Sequence, residues 1–316
     1  MILDYLFCVT AKEIPITVYE KCVINILKLT NGDTLFQTKD NHIYVYSLDT
    51  LELKKKWHHR DKIYSIGEID DNLVMGTPNK LLFYNLFDYT ICDTIIDLMT
   101  IMMVHYDRLN VICDLGNGNL GLGFSEGSVF ELDYKNQIIA SHCKFPNDII
   151  AIHPIIYSKY IIITRSQEIT VRDMLKKNNT IISNNDYYVT DITSFSNDVT
   201  NLSSCIFVAM VERDTYRWDG NAKKDRISIW IAETMTRMFM IDDIKESIFK
   251  TVVFNNGYII ISTNSKIMIM SILDQQIVQT FEVGSISNST LTHYGMNQFL
   301  QFCTTKTTTE QLYLFN

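Results

Sequence analysis

Proline and glycine are scarce in this chain, four and twelve among 316 residues, which is lean for a protein built from many turns. No low-complexity segment or interdomain linker stands out. Basic charge is also in deficit: 28 Lys and Arg stand against 36 Asp and Glu, a net charge of −8. A general nucleic-acid or anionic-membrane binder needs clustered Lys and Arg, so that class is disfavoured. No long apolar run is present. The most apolar stretch, Thr94 to Val104, is broken by Asp97 and reaches about half of the roughly 20 residues a membrane span needs. Met1 to Thr10 carries Asp4, no basic flank and too short an apolar run for a signal peptide. The seven cysteines, Cys8, Cys22, Cys92, Cys113, Cys143, Cys205 and Cys303, never form a C-x-x-C pair. Their odd number and scatter point to free thiols in a reducing compartment. The expectation is an intracellular protein, cytoplasmic or nuclear, neither secreted nor inserted in a membrane.

What the chain does have is a repeat. The stretch Asn41 to Leu48, N-H-I-Y-V-Y-S-L, returns in altered form to the end of the sequence. Comparable segments begin at Ile43, Leu81, Val129, Ile169, Ile227, Ile267 and Leu312, with steps of 38, 48, 40, 58, 40 and 45 residues. Most place apolar residues at their first and third positions, as in Ile43 and Val45 or Ile227 and Ile229. Such alternation is what a strand with one inward face requires. The segment at Val129 breaks it with Glu131 in third position. An apolar strand and a polar turn precede each segment: Leu35-Phe36 before Asp40-Asn41, Leu73 to Met75 before Asn79-Lys80, Tyr160 to Ile163 before Gln167-Glu168, Tyr258 to Ile261 before Asn264-Ser265.

The fourth column of the repeat holds Tyr46, Tyr84, Leu132, Arg172, Trp230, Met270 and Phe315; the fifth holds Ser47, Asn85, Asp133, Asp173, Ile231, Ser271 and Asn316. A large side chain followed by a small polar one is a weathered Trp-Asp pair, and on these residues the chain resembles the WD40-repeat family. Only Trp230 keeps the tryptophan, and His59-Arg60-Asp61-Lys62-Ile63 is the nearest trace of that family's histidine signal. The resemblance spans nearly the whole chain. It implies an all-β, seven-bladed β-propeller occupying residues 1–316 as one domain. The last unit ends on Leu312 to Asn316, its third strand, so residues near 4–18 are expected to supply the missing outer strand and close the ring.

The units run from Cys22 to about Trp57, Lys62 to Thr94, a longer third, Asp148 to Ser183, a fifth starting near Tyr188, then Ser247 to Val283 and Ser287 onward. The third unit's excess, around Ile95 to Arg108, reads as a short helix or an extended outer connection. The fifth carries the largest insertion, Glu212 to Arg226.

Signals for chemistry are poor. Gly116-Asn117-Gly118-Asn119-Leu120-Gly121 matches G-x-G-x-x-G, but two strand-like runs follow where a dinucleotide site needs a helix, so a hairpin turn is the better reading. His58-His59 and His142-Cys143 are adjacent pairs whose side chains point opposite ways on a strand, and no zinc spacing exists. No G-x-S-x-G or H-E-x-x-H occurs. No catalytic, cofactor-binding or metal residue is nominated, and no cofactor is expected.

Two stretches have the composition of recognition surfaces. Lys54, Lys55, Lys56, Trp57, His59 and Arg60 combine positive charge with an aromatic, suiting an acidic or phosphate-bearing partner; lysines guarding an exposed edge strand explain the same residues. Tyr216, Arg217 and Trp218, inside the fifth-unit insertion, are of the types enriched at binding hot spots. The functional expectation is a non-catalytic scaffold that binds one or more protein partners, or peptide segments, on the top rim. The alternatives are a propeller hydrolase with a central-channel site, and a phosphate-, phosphoinositide- or nucleic-acid-binding propeller in which Lys54, Lys55, Lys56 and Arg60 join Lys223 and Lys224 in one positive field.

Overall fold

The computed structural model describes residues 11–13, 23–47, 50, 52–102, 108–116, 118–156, 159–165, 168–173, 175–183, 187–196, 206–214, 225–231, 234, 236–242, 244, 246–254, 258–272, 274–282, 286–295, 298–305 and 310–315. Among these residues, short apolar runs separated by polar turns form 28 strands and one helix. They are β1 (Ala11–Glu13); β2 to β5 (Val23–Lys28, Thr34–Thr38, His42–Ser47, Glu52–His58); and β6 to β9 (Ser65–Ile69, Asn72–Gly76, Lys80–Asn85, Ile91–Asp97). Helix α1 (Leu98–Met102) precedes β10 to β13 (Leu109–Gly116, Asn119–Phe124, Ser128–Asp133, Ile138–Lys144). Then come β14 to β17 (Ile149–Ile156, Lys159–Thr164, Glu168–Asp173, Asn178–Ser183) and β18 to β21 (Tyr187–Ser196, Ile206–Asp214, Asp225–Ile231, Thr236–Ile241). The last are β22 to β25 (Ile248–Phe254, Tyr258–Thr263, Lys266–Ser271, Gln276–Glu282) and β26 to β28 (Ile286–Gly295, Gln298–Thr305, Glu310–Phe315).

The strands assemble as seven four-stranded antiparallel sheets, six of them in simple sequence order. The remaining sheet has the order β1-β28-β27-β26, with Ala11 opposite Phe315 and Glu13 opposite Tyr313. The outer strand expected from residues 4–18 is therefore Ala11–Glu13; the apolar run Tyr5 to Thr10 lies outside the described residues. First strands of neighbouring sheets touch, β6 with β10, β10 with β14, β14 with β18, β18 with β22 and β22 with β26, and β2 returns to β26. This closed ring of sheets is a β-propeller.

Burial explains the repeat better than a single inward face does. In β4, β8 and β24 every central residue is buried, on both faces of the sheet: Ile43 and Val45, but also Tyr44 and Tyr46. Each sheet is sandwiched between two neighbours, so both faces of its third strand are core. Among the described residues, alternation of exposed and half-buried positions is seen in outer strands such as β13 and β25. Apolar clusters fill the spaces between sheets; one joins Leu35, Ile43 and Val45 to Leu73, Met75 and Tyr84, and another joins Val74, Leu81 and Phe83 to Leu120, Leu122 and Phe130.

Several expectations are resolved by local chemistry. The excess in the third unit contains α1, whose first turn is capped by the Asp97 carboxylate accepting from the Met99 and Thr100 amides at 2.9 and 3.2 Å. The G-x-G-x-x-G segment is the β10–β11 hairpin, with Gly116 and Gly118 at φ +80° and +77°. The insertion assigned to Glu212–Arg226 is narrower: Glu212 pairs with Arg226 and Arg213 with Asp225 inside the sheet, so only residues 215–224 separate the strands. Glu212, Asp225 and Arg226 are charged and read as loop from sequence, yet they are buried, and Glu212 and Arg226 form an ion pair.

Candidate interaction surface

Antiparallel order puts the four connections of a sheet alternately at its two ends. The turn between second and third strands therefore shares a rim with the crossover to the next sheet. Along this rim a threonine closes the second strand in four sheets. Thr38, Thr77, Thr164 and Thr263 accept through Oγ1 from the amides of His42, Lys80, Glu168 and Lys266, at 3.1, 3.2, 3.3 and 3.0 Å. These turns hold the neighbouring crossover. His59 donates its amide to the Asn41 carbonyl at 3.0 Å, and Tyr64 donates to the Gly76 carbonyl at 2.9 Å.

Arg60 and Lys62 stand exposed on that crossover. The Lys62 ammonium and the Arg108 guanidinium lie 5.1 and 5.7 Å from the ring centre of Tyr64. His59 is turned inward on its own loop, its Nδ1 accepting from the Asp61 amide at 3.1 Å. Behind the crossover runs β5, the outer strand of the first sheet. Its three lysines part company. Lys54 occupies a bulge and reaches the buried Asp33 carboxylate at 2.7 Å. Lys55 points to the Asp88 carbonyl at 3.5 Å, and Lys56 lies over the Tyr44 ring at 5.0 Å. Trp57 is half-buried between sheets, its ring centre 5.5 Å from Tyr84 and 6.5 Å from Tyr89. Its size is thus accounted for by packing, and the charged tips of Lys55, Lys56 and Arg60 are what β5 and the crossover present to solvent. Tyr216, Arg217, Trp218, Lys223 and Lys224 lie outside the described residues.

Polar networks join one sheet to another or one strand to the next. Asp33, between β2 and β3, accepts from the Tyr89 hydroxyl at 2.5 Å and so ties the first sheet to the second. Asp70, between β6 and β7, accepts from Tyr134 in the third sheet, with Lys135 at 2.9 Å. Glu131 accepts from Tyr160 at 2.7 Å and from Arg172 Nε at 3.0 Å, all three buried. At the root of the fifth-sheet insertion, Arg226 donates to Glu212 at 2.6 Å, Ser228 donates to the same carboxylate, and Trp230 Nε1 donates to Ser228 Oγ at 2.7 Å. The Asp225 carboxylate accepts the Ile248 amide at 2.6 Å, linking that root to the sixth sheet. Sequence reading missed these contacts, although Glu131 and Arg172 each interrupt their repeat column.

Cys113 and Cys143 are not poised as nucleophiles. Burial pushes the Cys113 thiol up to about 12 and the Cys143 thiol up to about 11, so both are protonated at neutral pH. Among the described residues no three His, Cys, Asp or Glu side chains form a group able to hold a metal ion. His58 is used in a cross-strand pair, its ring centre 4.7 Å from that of His42, whose Nδ1 is 3.0 Å from Asp40. Among the described residues no helix is long and apolar enough to cross a membrane.

No family model and no curated sequence matches the chain. Solved structures do. The structure of U3-55K is similar with a TM-score of 0.73 at 8% identity, over 96% of this chain and 98% of that one. The crystal structure of the computationally designed Ika8 protein is similar with a TM-score of 0.60 at 9% identity, over 93% and 96%. At such identities the likeness speaks for the architecture alone, and the architecture is a β-propeller.

Proposed function

We propose that this chain is a seven-bladed, non-catalytic scaffold subunit of an intracellular multiprotein complex, cytoplasmic or nuclear. The observation that carries the reading is the positive charge on β5 and the crossover after it. Lys55, Lys56 and Arg60 make no ion pair among the described residues, on a chain whose net charge is −8. A rigid ring that fixes such a rim has what a partner's acidic segment needs. Tyr216, Arg217 and Trp218, between β19 and β20 in the sequence, are the second proposed contact.

The test separates binding from folding. One variant reverses charge at Lys55, Lys56 and Arg60; another replaces Tyr216, Arg217 and Trp218 with alanine. Trp57 is left intact because it packs between sheets. Affinity purification from the native source is expected to lose copurifying proteins in either variant while the melting transition stays. Unchanged copurification in both overturns the reading.

A further inference from the structure

The outer strands of the ring offer an internal comparison. Each presents a row of backbone N–H and C=O groups to solvent, a template for pairing with another chain. Most are blunted. Register is interrupted between β4 and β5, β8 and β9, β12 and β13, β20 and β21, and β24 and β25. Those five outer strands also carry charge, at Lys54 to Lys56, Asp93 and Asp97, Lys144, Arg237, and Glu282. The outer strand β1 has three described residues, two of them Lys12 and Glu13. Bulges and inward or edge charges are the devices by which β proteins prevent edge pairing.

β17 has none of them. Its sequence, N-N-T-I-I-S, is uncharged, and all six residues pair with β16 in unbroken register from Asn178 opposite Asp173 to Ser183 opposite Glu168. It is fully β-competent at its centre, and Ile181 is 62% exposed. We propose that β17 is the contact edge of a homodimer, in which β17 of a second copy adds antiparallel across a two-fold axis.

A second copy fits better than an unrelated segment for reasons of symmetry and charge. An uncharged edge meets itself without like charges opposite one another. In a continuous antiparallel sheet with the axis normal to it, opposite residues share a face, so pairing centres on one residue and not between two. Centring on Ile181 sets it against Ile181 of the second copy, Thr180 against Ile182, and Asn179 against Ser183. The exposed isoleucine is then covered by its own counterpart. Six residues span only about 20 Å, so the dimer is weak and dissociates on dilution.

Sedimentation equilibrium of the purified chain over a concentration series tests this. The wild type is expected to shift from monomer to dimer as concentration rises. Ile181→Lys, placing two ammonium groups face to face at the axis, is expected to remain monomeric with an unchanged melting temperature. Ile181→Cys is expected to give a disulfide-linked dimer on mild oxidation, in excess of a Val278→Cys control on the outer strand β25, where the side chain is 53% exposed. A wild type that is monomeric throughout overturns the proposal. So does a dimer that survives Ile181→Lys, or a cysteine at 181 that cross-links no more than the control.

Discussion

Glu131 and Arg172 form an ion pair across two sheets, Oε1 to Nε at 3.0 Å, with both side chains less than a tenth exposed. Tyr160 donates to the same carboxylate oxygen, while Arg172 also donates to Asn179 at 3.0 Å and to Ser141 at 2.5 Å. Removing one member leaves the other charged and enclosed. Arg172→Ala is expected to cost about 3–5 kcal/mol in urea denaturation. The double change Glu131→Leu with Arg172→Met is expected to recover most of that loss, because two apolar groups leave no buried charge behind. Equal destabilisation of single and double variants would show that packing, not charge compensation, sets the cost.

The two residues also show how much of the fold was legible. Periodicity found the third strands because Ile, Leu and Val recur there at fixed columns, and it found the closing strand because the final unit was one strand short. It did not find the pairing of Glu131 with Arg172, since nothing in one sequence says which irregular columns face each other across a sheet interface. The insertion after β19 was overestimated for the same reason: Glu212 and Arg226 look like loop residues until each is seen to neutralise the other. Trp57 was legible as large and aromatic, but its direction depends on Tyr84 and Tyr89, more than 25 residues away.

The two tyrosine–aspartate contacts between sheets differ in burial and should differ in worth. Asp33 is 5% exposed at its side chain, and Asp70 is 50% exposed. Tyr89→Phe is expected to cost about 1.5–3 kcal/mol, as a hydrogen bond to a buried charged acceptor does. Tyr134→Phe is expected to cost under about 1 kcal/mol, since water replaces the lost donor at Asp70. Guanidinium titrations of the two variants rank them directly, and the reverse order would contradict the burial argument.

Two glycines with nearly equal φ make a paired test of space against conformation. Gly32, at φ +93°, has nothing within 4 Å of an added Cβ, so Gly32→Ala is expected to cost only the left-handed strain, about 1–2 kcal/mol. Gly127, at φ +90°, would bring a Cβ to 2.2 Å from the Phe145 carbonyl oxygen and 2.7 Å from that of Asn147. Both are backbone atoms of the crossover to the fourth sheet, which cannot swing aside. Gly127→Ala is therefore expected to lower the melting temperature well beyond Gly32→Ala.

Acid should weaken the protein in two stages. Partial desolvation against the Phe130 ring, then the charges of Lys144 and Arg172, hold the otherwise exposed His142 below its usual 6.5. Burial works against the Glu246 carboxylate, yet hydrogen bonds from Thr263 and Ser265 and the nearby Lys266 outweigh it and hold the group below 4.5. In both cases the unfolded chain takes up the proton first, so stability is complete above the unfolded value and is lost as pH falls through the folded one. Urea midpoints measured from pH 8 to pH 3 are expected to decline below about 6.5 and again below about 4.5. His142→Asn should flatten the upper limb and Glu246→Gln the lower; unchanged slopes would assign the titration elsewhere.

The pairing of Ala11 with Phe315 has a temporal side. A ribosome adding about 5–20 residues per second delivers the second of these roughly 15–60 s after the first. Until residues 313–315 are made, Ala11–Glu13 has no strand to pair with, and the strands of the other six sheets are all made first. The ring is thus fastened last at the place where it was begun, and a chain released early remains an arc.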